Sequence, residues 1–291
     1  MFAFSSHPGH PQGHALGTNG VAPRIAAALA FGGALLVNGL ANRLPLGGRT
    51  TGELSALYPN LFVPAGVTFA IWGVIYLLVG AWCIVQFLPS GAPLGRRLAP
   101  AFATSSVLNA GWLFAWHHQL VTLSLVVMAA LLVSLLVLNH KLLRPIPDPT
   151  HTAALHLARA TFGIYLGWVL VATLVNATVF GVHIGWGGAP LTPALWAALL
   201  TMVGAGVAIF TFRSLANPWV AASVVWAFAG IALARRDEAP LVAWTAVGML
   251  VLVAALALRT ARSHSIGRRP SLRSKPDRPE TPAPPGTNAP R

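Results

Sequence analysis

Long apolar stretches, each closed by a short polar or Gly/Pro-rich break, run through most of the chain. Eight of them are candidate membrane spans: about 24–42, 61–87, 99–116, 120–139, 157–182, 191–212, 217–234 and 240–258. A span needs roughly 20 mostly apolar residues to cross the hydrocarbon core. None of the eight contains Asp or Glu; Glu53, Asp148, Asp237, Glu238, Asp277 and Glu280 all fall between windows or in the tail. Backbone groups in lipid must be satisfied within their own segment, and no strand-like alternation is present, so each window reads as a helix. Gly91, Pro93, Arg96 and Arg97 part the second window from the third. Pro145, Pro147, Asp148 and Pro149 part the fourth from the fifth, and Arg235-Arg236-Asp237-Glu238 the seventh from the eighth. The break at His117-His118-Gln119 is so short that the third and fourth helices must form a tight antiparallel hairpin. The pattern predicts an all-α fold, a polytopic transmembrane bundle of about eight helices.

Composition agrees and narrows the partners. Of 291 residues, 55% are hydrophobic and 9% charged, against about 25% charged in a soluble domain. A lipid bilayer is therefore the expected partner. The net charge of +13 does not point to nucleic acid: eight of the nineteen Lys and Arg lie at or beyond Arg259, and most others sit between apolar stretches, as topology markers do. Residues 1–22 read as a flexible polar segment and 261–291 as a disordered, basic, Pro-rich tail that cannot bury enough surface to order itself. The run after residue 22 is longer than a signal-peptide core and lacks a clear cleavage site, so it reads as a retained helix. The tail's charge predicts a cytoplasmic C-terminus, and eight spans return the N-terminus to the same side. The loops add little: Arg96, Arg97, Lys141, Arg144 and Arg213 inside, Arg43, Arg49, Arg235 and Arg236 outside. Cys83, the single cysteine, lies in an apolar run and reads as a small buried hydrophobe.

Three windows carry polar and aromatic residues at helical spacing. Phe69, Trp72 and Tyr76 share a face of the second; Asn109, Trp112 and Trp116 share one of the third; Tyr165, Trp168, Ala172 and Asn176 share one of the fifth. Asn in hydrocarbon needs a hydrogen-bond partner, so Asn109 and Asn176 should point into the bundle. Turned toward each other, the three faces would enclose an aromatic-walled cavity for a large, flat, mostly apolar ligand with a few polar edges. The same spacing also serves plain interhelical packing, with Asn and Trp as glue.

These residues carry a resemblance. The run Pro64-Ala65-Gly66-Val67-Thr68-Phe69-Ala70-Ile71-Trp72-Gly73-Val74-Ile75-Tyr76, the pair Asn109-x-x-Trp112 with Trp116, and Tyr165-Leu166-x-Trp168-Val169-x-x-Ala172-Thr173-x-x-Asn176 occur in this order on the second, third and fifth helices. Residues 23–182 thereby resemble the TspO/MBR family, the tryptophan-rich sensory or translocator proteins. The resemblance implies a five-helix bundle whose ligand cavity is lined by Phe69, Trp72, Tyr76, Asn109, Trp112, Trp116, Tyr165, Trp168, Ala172 and Asn176 and capped by residues 43–60. It implies tetrapyrroles, haem or porphyrin, or sterols as ligands, with no cofactor required. The chain departs from the family pattern at Ala65, where a second proline is usual, and at Leu44-Pro45-Leu46-Gly47-Gly48-Arg49, where a Trp-Pro run is usual. Helices within 183–260 are additional to the five, which suggests an enlarged, divergent branch.

The function expected is a membrane sensory or binding protein for a hydrophobic ligand. The alternatives are a transporter of a lipophilic small molecule and a porphyrin-modifying enzyme. No carboxylate lies inside a span and no inverted repeat is evident, which weakens ion-coupled transport. No nucleophile–base pair or phosphate loop stands out, so no enzyme is expected and no catalytic residue is named. His7, His10 and His14 lie in a Gly/Pro-rich segment without Cys or carboxylate, and His117-His118 read as an interfacial turn, so no metal site is expected. Stretches such as Gly204-Ala205-Gly206 allow close helix packing, within one chain or in a homodimer.

Overall fold

The computed structural model describes residues 20–43, 48–146 and 148–266. The segments 1–19 and 267–291, with His7, His10, His14 and most of the basic tail, lie outside the described residues, as do 44–47 and Pro147. Among the described residues there are nine α-helices and no strand: α1 Val21–Arg43, α2 Thr51–Ala56, α3 Ile71–Val85, α4 Ala92–His117, α5 Val121–Lys141, α6 Thr152–His183, α7 Pro193–Ser214, α8 Trp219–Arg235 and α9 Pro240–Ile266. Apart from α2, one long helix answers each of the eight windows.

Local chemistry explains the ends. Thr192 accepts from Leu195 N (3.3 Å) as N-cap of α7, with Pro193 at the first helical position, where its missing N–H costs nothing. Asp148 accepts from Thr150 N (2.8 Å) ahead of α6. The α4–α5 hairpin is as tight as the sequence predicts: Gln119 takes a positive φ of 54° and Leu120 N donates to Ala115 O (2.9 Å). The second window is helical later than its apolar run. Its first residues, 61–65, are irregular, and Gly66–Ala70 form a 3-10 turn before α3. Pro64 disfavours helix at the residue before it. Ala65 N donates to Gly230 O of α8 (3.0 Å), a bond made outside its own segment.

Six of the eight long helices, α1, α3 with its 3-10 turn, α5, α6, α7 and α9, are long and apolar enough to cross a membrane unaided. The other two have physical reasons to differ. α4 buries its polar side chains Ser105, Ser106, Asn109 and His117 inside the bundle, so its composition is less apolar than its surroundings. α8 is apolar but only 17 residues long, about 26 Å of rise. Outward positions are strongly apolar: Leu29 is 71% exposed, Leu77 77%, Phe210 72% and Trp244 75%. Such a belt is stable against lipid and not against water. The chain is a multi-pass membrane protein.

α6 is the hub. It packs against α3, α5, α7 and α8; α4 packs against α1 and α5; α9 packs against α7 and α8. The α6–α8 seam is a close approach. A Cβ on Gly167 would lie 2.0 Å from Val220 O and 2.5 Å from Ser223 Oγ, and one on Gly163 2.8 Å from Trp219 Cβ. Gly163 and Gly167 thus form a small-xxx-small stripe that lets two backbones meet. Polar groups finish the seam: Ser223 Oγ donates to Ile164 O (2.7 Å), and Asn217 Nδ2 to Asn139 Oδ1 and Arg159 O (both 3.0 Å). The last three helices are therefore fastened to the same hub as the first five.

Candidate ligand-binding site

The ten residues singled out in the sequence come together. Trp72 is the centre: its ring stacks on Tyr76 (5.4 Å between centroids) and Trp112 (6.2 Å), and meets Tyr165 (5.9 Å) and Trp168 (6.3 Å) edge-on. Trp112 stacks on Trp116 (6.0 Å), and Phe69 meets Trp168 (5.8 Å). Asn176 is bonded through both ends of its amide, and Asn109 through its oxygen. Asn176 Oδ1 accepts from Trp112 Nε1 (3.3 Å) and Ser124 Oγ (3.2 Å), while its Nδ2 donates to Ala172 O (2.9 Å). Asn109 Oδ1 accepts from the Tyr76 hydroxyl (3.4 Å).

The faces meet so closely that the rings themselves fill most of the space between them. A void of about 30 Å³ remains, lined by Phe69, Trp72, Trp112, Trp116, Trp168, Ala172 and Asn176 together with Thr51, Ser55 and Pro64, room for about one water. Tyr165 and Asn109 stand behind this lining and support it. Three buried polar atoms around the cluster have no hydrogen-bond partner among the described residues: Trp168 Nε1, Ser55 Oγ and Asn109 Nδ2. Leaving such groups unpaired in a low-dielectric interior is costly.

The larger space is a cleft of about 1210 Å³ above the cluster, with Phe69, Trp72 and Tyr76 as its aromatic floor. Residues 50–61, including α2, form one wall. Thr51, Ser55, Pro64, Phe69 and Trp72 line both cleft and void and are the partition between them. α2 is held as a lid by a capping box. Thr50 N donates to Glu53 Oε2 (2.7 Å) and Glu53 N to Thr50 Oγ1 (3.3 Å). The Thr50 N–H, and then its hydroxyl, hold the exposed Glu53 carboxyl below the usual carboxylate range. Trp116 Nε1 donates to Thr51 O (3.2 Å), and Thr51 Oγ1 lies 3.2 Å from His117 Nε2, which fastens the lid to α4.

The far wall comes from residues whose role the sequence pattern did not reveal. Arg235, at the end of α8, donates from Nη2 to Asn60 O (3.2 Å) and Val63 O (3.3 Å), and from Nη1 to Glu238. Trp226 Nε1 donates to Thr68 O (2.8 Å), and a Cβ on Gly230 would lie 2.0 Å from Thr68 Oγ1. Asn60 ties the loop itself, accepting from Phe62 N (3.1 Å) and Thr178 Oγ1 (3.3 Å). In sequence Arg235 and Glu238 look like an ordinary polar break, and only the fold brings them to the cleft. Trp219 is half exposed and Trp244 faces outward. His118 stacks on Phe114 (4.2 Å). Among the described residues no cluster of His, Cys, Asp and Glu is arranged to hold a metal ion.

At about 1210 Å³ the cleft exceeds the roughly 300–1,000 Å³ common for small-molecule pockets. It offers flat π-faces below and mixed polar groups at the rim. In comparisons with known proteins, the family of TSPO-like proteins matches residues 24–259, a span that includes α7 and α8 and most of α9 as well as the five long helices before them. No curated protein and no solved structure gave a match.

Proposed function

Because the chain belongs to the TSPO-like protein family, we propose that it is a membrane binding protein for a tetrapyrrole such as haem or a porphyrin. The observation that carries the proposal is the cleft of about 1210 Å³ with Phe69, Trp72 and Tyr76 as its floor. A flat macrocycle buries its apolar face on those rings and gains offset stacking contacts. Its polar edges meet the rim at Thr50, Asn60 and Arg235. Ser55 Oγ in the partition and Trp168 Nε1 just beyond it have no hydrogen-bond partner among the described residues, and a displaced Trp72 would present Trp168 Nε1 to the ligand. Binding is the role proposed, rather than transport or catalysis. Movement of the 50–61 lid is the output available to a partner.

The reading includes an orientation. Arg24 donates to Gln86 O (2.7 Å), Arg97 to Arg144 O (3.0 Å) and Lys141 to Arg97 O (3.5 Å), so the basic connectors gather at one end of the bundle. That end is cytoplasmic by the positive-inside rule, and the cleft opens on the opposite side.

The test is titration of the detergent-purified full chain with protoporphyrin IX and with haem, followed by tryptophan fluorescence, beside the Trp72→Phe/Trp168→Phe double variant. Saturable quenching that weakens in the variant is expected. Quenching identical in both proteins would remove the aromatic floor as the site, and no saturable quenching by either compound would remove the tetrapyrrole.

A further inference from the structure

Away from the cleft, at the basic end, a groove of about 480 Å³ separates the C-terminal turn of α5 from that of α7. Its rim carries the cations Lys141 and Arg144, with His140 beside them, on the α5 side. Its floor and far wall are apolar or neutral, with Leu136, Val137 and the strongly exposed Phe210 lining the run toward the bundle's middle. Among the described residues no acid lines it, and neither Lys141 nor Arg144 forms an ion pair. A second groove, of about 460 Å³, lies between α4 and α5 over small residues such as Ala101, Ala130 and Ser134, and Val137 lines both. The two therefore meet on α5, one turn below the cations.

We propose that these joined grooves are a binding site for one anionic glycerophospholipid. The phosphate sits among Lys141, Arg144 and His140. One acyl chain follows Leu136 and Phe210, and the other crosses Val137 into the groove between α4 and α5. Basic pockets between membrane helices on the cytoplasmic side are suited to acidic headgroups. Cations in the last turn of α5 also complement its dipole, but that role does not require an apolar channel leading away from them. Architecture explains the groove: α5 and α7 flank the same hub, α6, from the first five helices and the last three. A lipid here would seal the joint between the two sets. The site is independent of the tetrapyrrole reading.

The test is native mass spectrometry of the detergent-purified full chain with equimolar phosphatidylglycerol and phosphatidylcholine of identical acyl chains. One phosphatidylglycerol is expected to be retained in preference to phosphatidylcholine. Lys141→Gln/Arg144→Gln should reduce that preference on the order of tenfold or more, from two lost headgroup contacts, while Arg236→Gln at the opposite end leaves it unchanged. Val137→Trp, which blocks the channel but keeps both cations, should also reduce it and guards against misfolding of the double variant. Excess inorganic phosphate should not displace the lipid. Equal retention of the two lipids, a preference indifferent to the double variant and to Val137→Trp, or displacement by inorganic phosphate would overturn the proposal.

Discussion

Gly167→Ala should unseat the last three helices from the first five. The added methyl would begin 2.0 Å from Val220 O and 2.5 Å from Ser223 Oγ. The first of these is backbone, which cannot rotate away, so α6 and α8 must separate until the contact reaches roughly 3.4 Å, an ordinary van der Waals distance. Overpacking of this kind costs about 1–3 kcal/mol. Separation also stretches the Ser223–Ile164 hydrogen bond (2.7 Å) and the Asn217 contacts to Asn139 and Arg159 O, each worth about 1 kcal/mol net. With all three bonds lost the total is about 4–6 kcal/mol. Gly206→Ala in α7 is the control: a Cβ there meets nothing within 4 Å, and replacing a helical glycine gains about 0.5–1 kcal/mol. Thermal unfolding of both variants in one detergent, followed by tryptophan emission, should place Gly167→Ala several degrees below the wild type and Gly206→Ala at or above it. A Gly167→Ala midpoint equal to that of Gly206→Ala would refute the close seam.

Other outcomes follow from the same geometry. Gly230→Ala should push α8 off the Gly66–Ala70 turn, because its Cβ would lie 2.0 Å from Thr68 Oγ1 and 2.9 Å from the Thr68 Cβ; quenching by protoporphyrin IX should weaken even where the fold survives, and unchanged affinity would contradict the coupling of α8 to the cleft floor. Arg235→Gln removes the donors to Asn60 O and Val63 O, so hydrogen exchange of residues 60–66 should quicken while that of α5 stays unchanged. The lid should loosen in acid. Glu53 has its carboxyl lowered from an ordinary 4.5, so its stabilisation is fully present above that value and is lost as pH falls through the lowered one. Hydrogen exchange of residues 51–56, corrected for intrinsic rates, should be flat from pH 8 to 6 and rise below about 4.5, and Glu53→Gln should abolish that rise.

Much of the fold is legible in the sequence because lipid imposes a one-dimensional rule: an apolar run of sufficient length becomes a helix, and charges mark its ends. Hence the eight windows become eight long helices, and His117-His118-Gln119 becomes a hairpin. Helical spacing likewise brings Trp72, Trp112 and Trp168 to one place, since faces follow from period alone. Spacing does not report how far apart those faces stand. The rings of Trp72, Trp112 and Trp116 stack on one another, so the open volume lies above them. Nor does it reveal contacts between segments distant in sequence. Nothing near Arg235 shows that it reaches Asn60, and Gly163-x-x-x-Gly167, a readable small-residue stripe, does not name Val220 and Ser223 as its partners. The irregular start of the second window depends on Ala65 bonding to Gly230, a long-range pairing that overrides a continuous apolar run.

The central claim, a tetrapyrrole seated under the 50–61 lid, is tested most directly by hydrogen–deuterium exchange of the full chain with and without protoporphyrin IX. The account predicts slowed exchange in residues 50–70 and around 234–238, the two walls of the cleft, with little change along α5 and α7. Protection confined to α5 and α7, or no protection at saturating porphyrin, would contradict it.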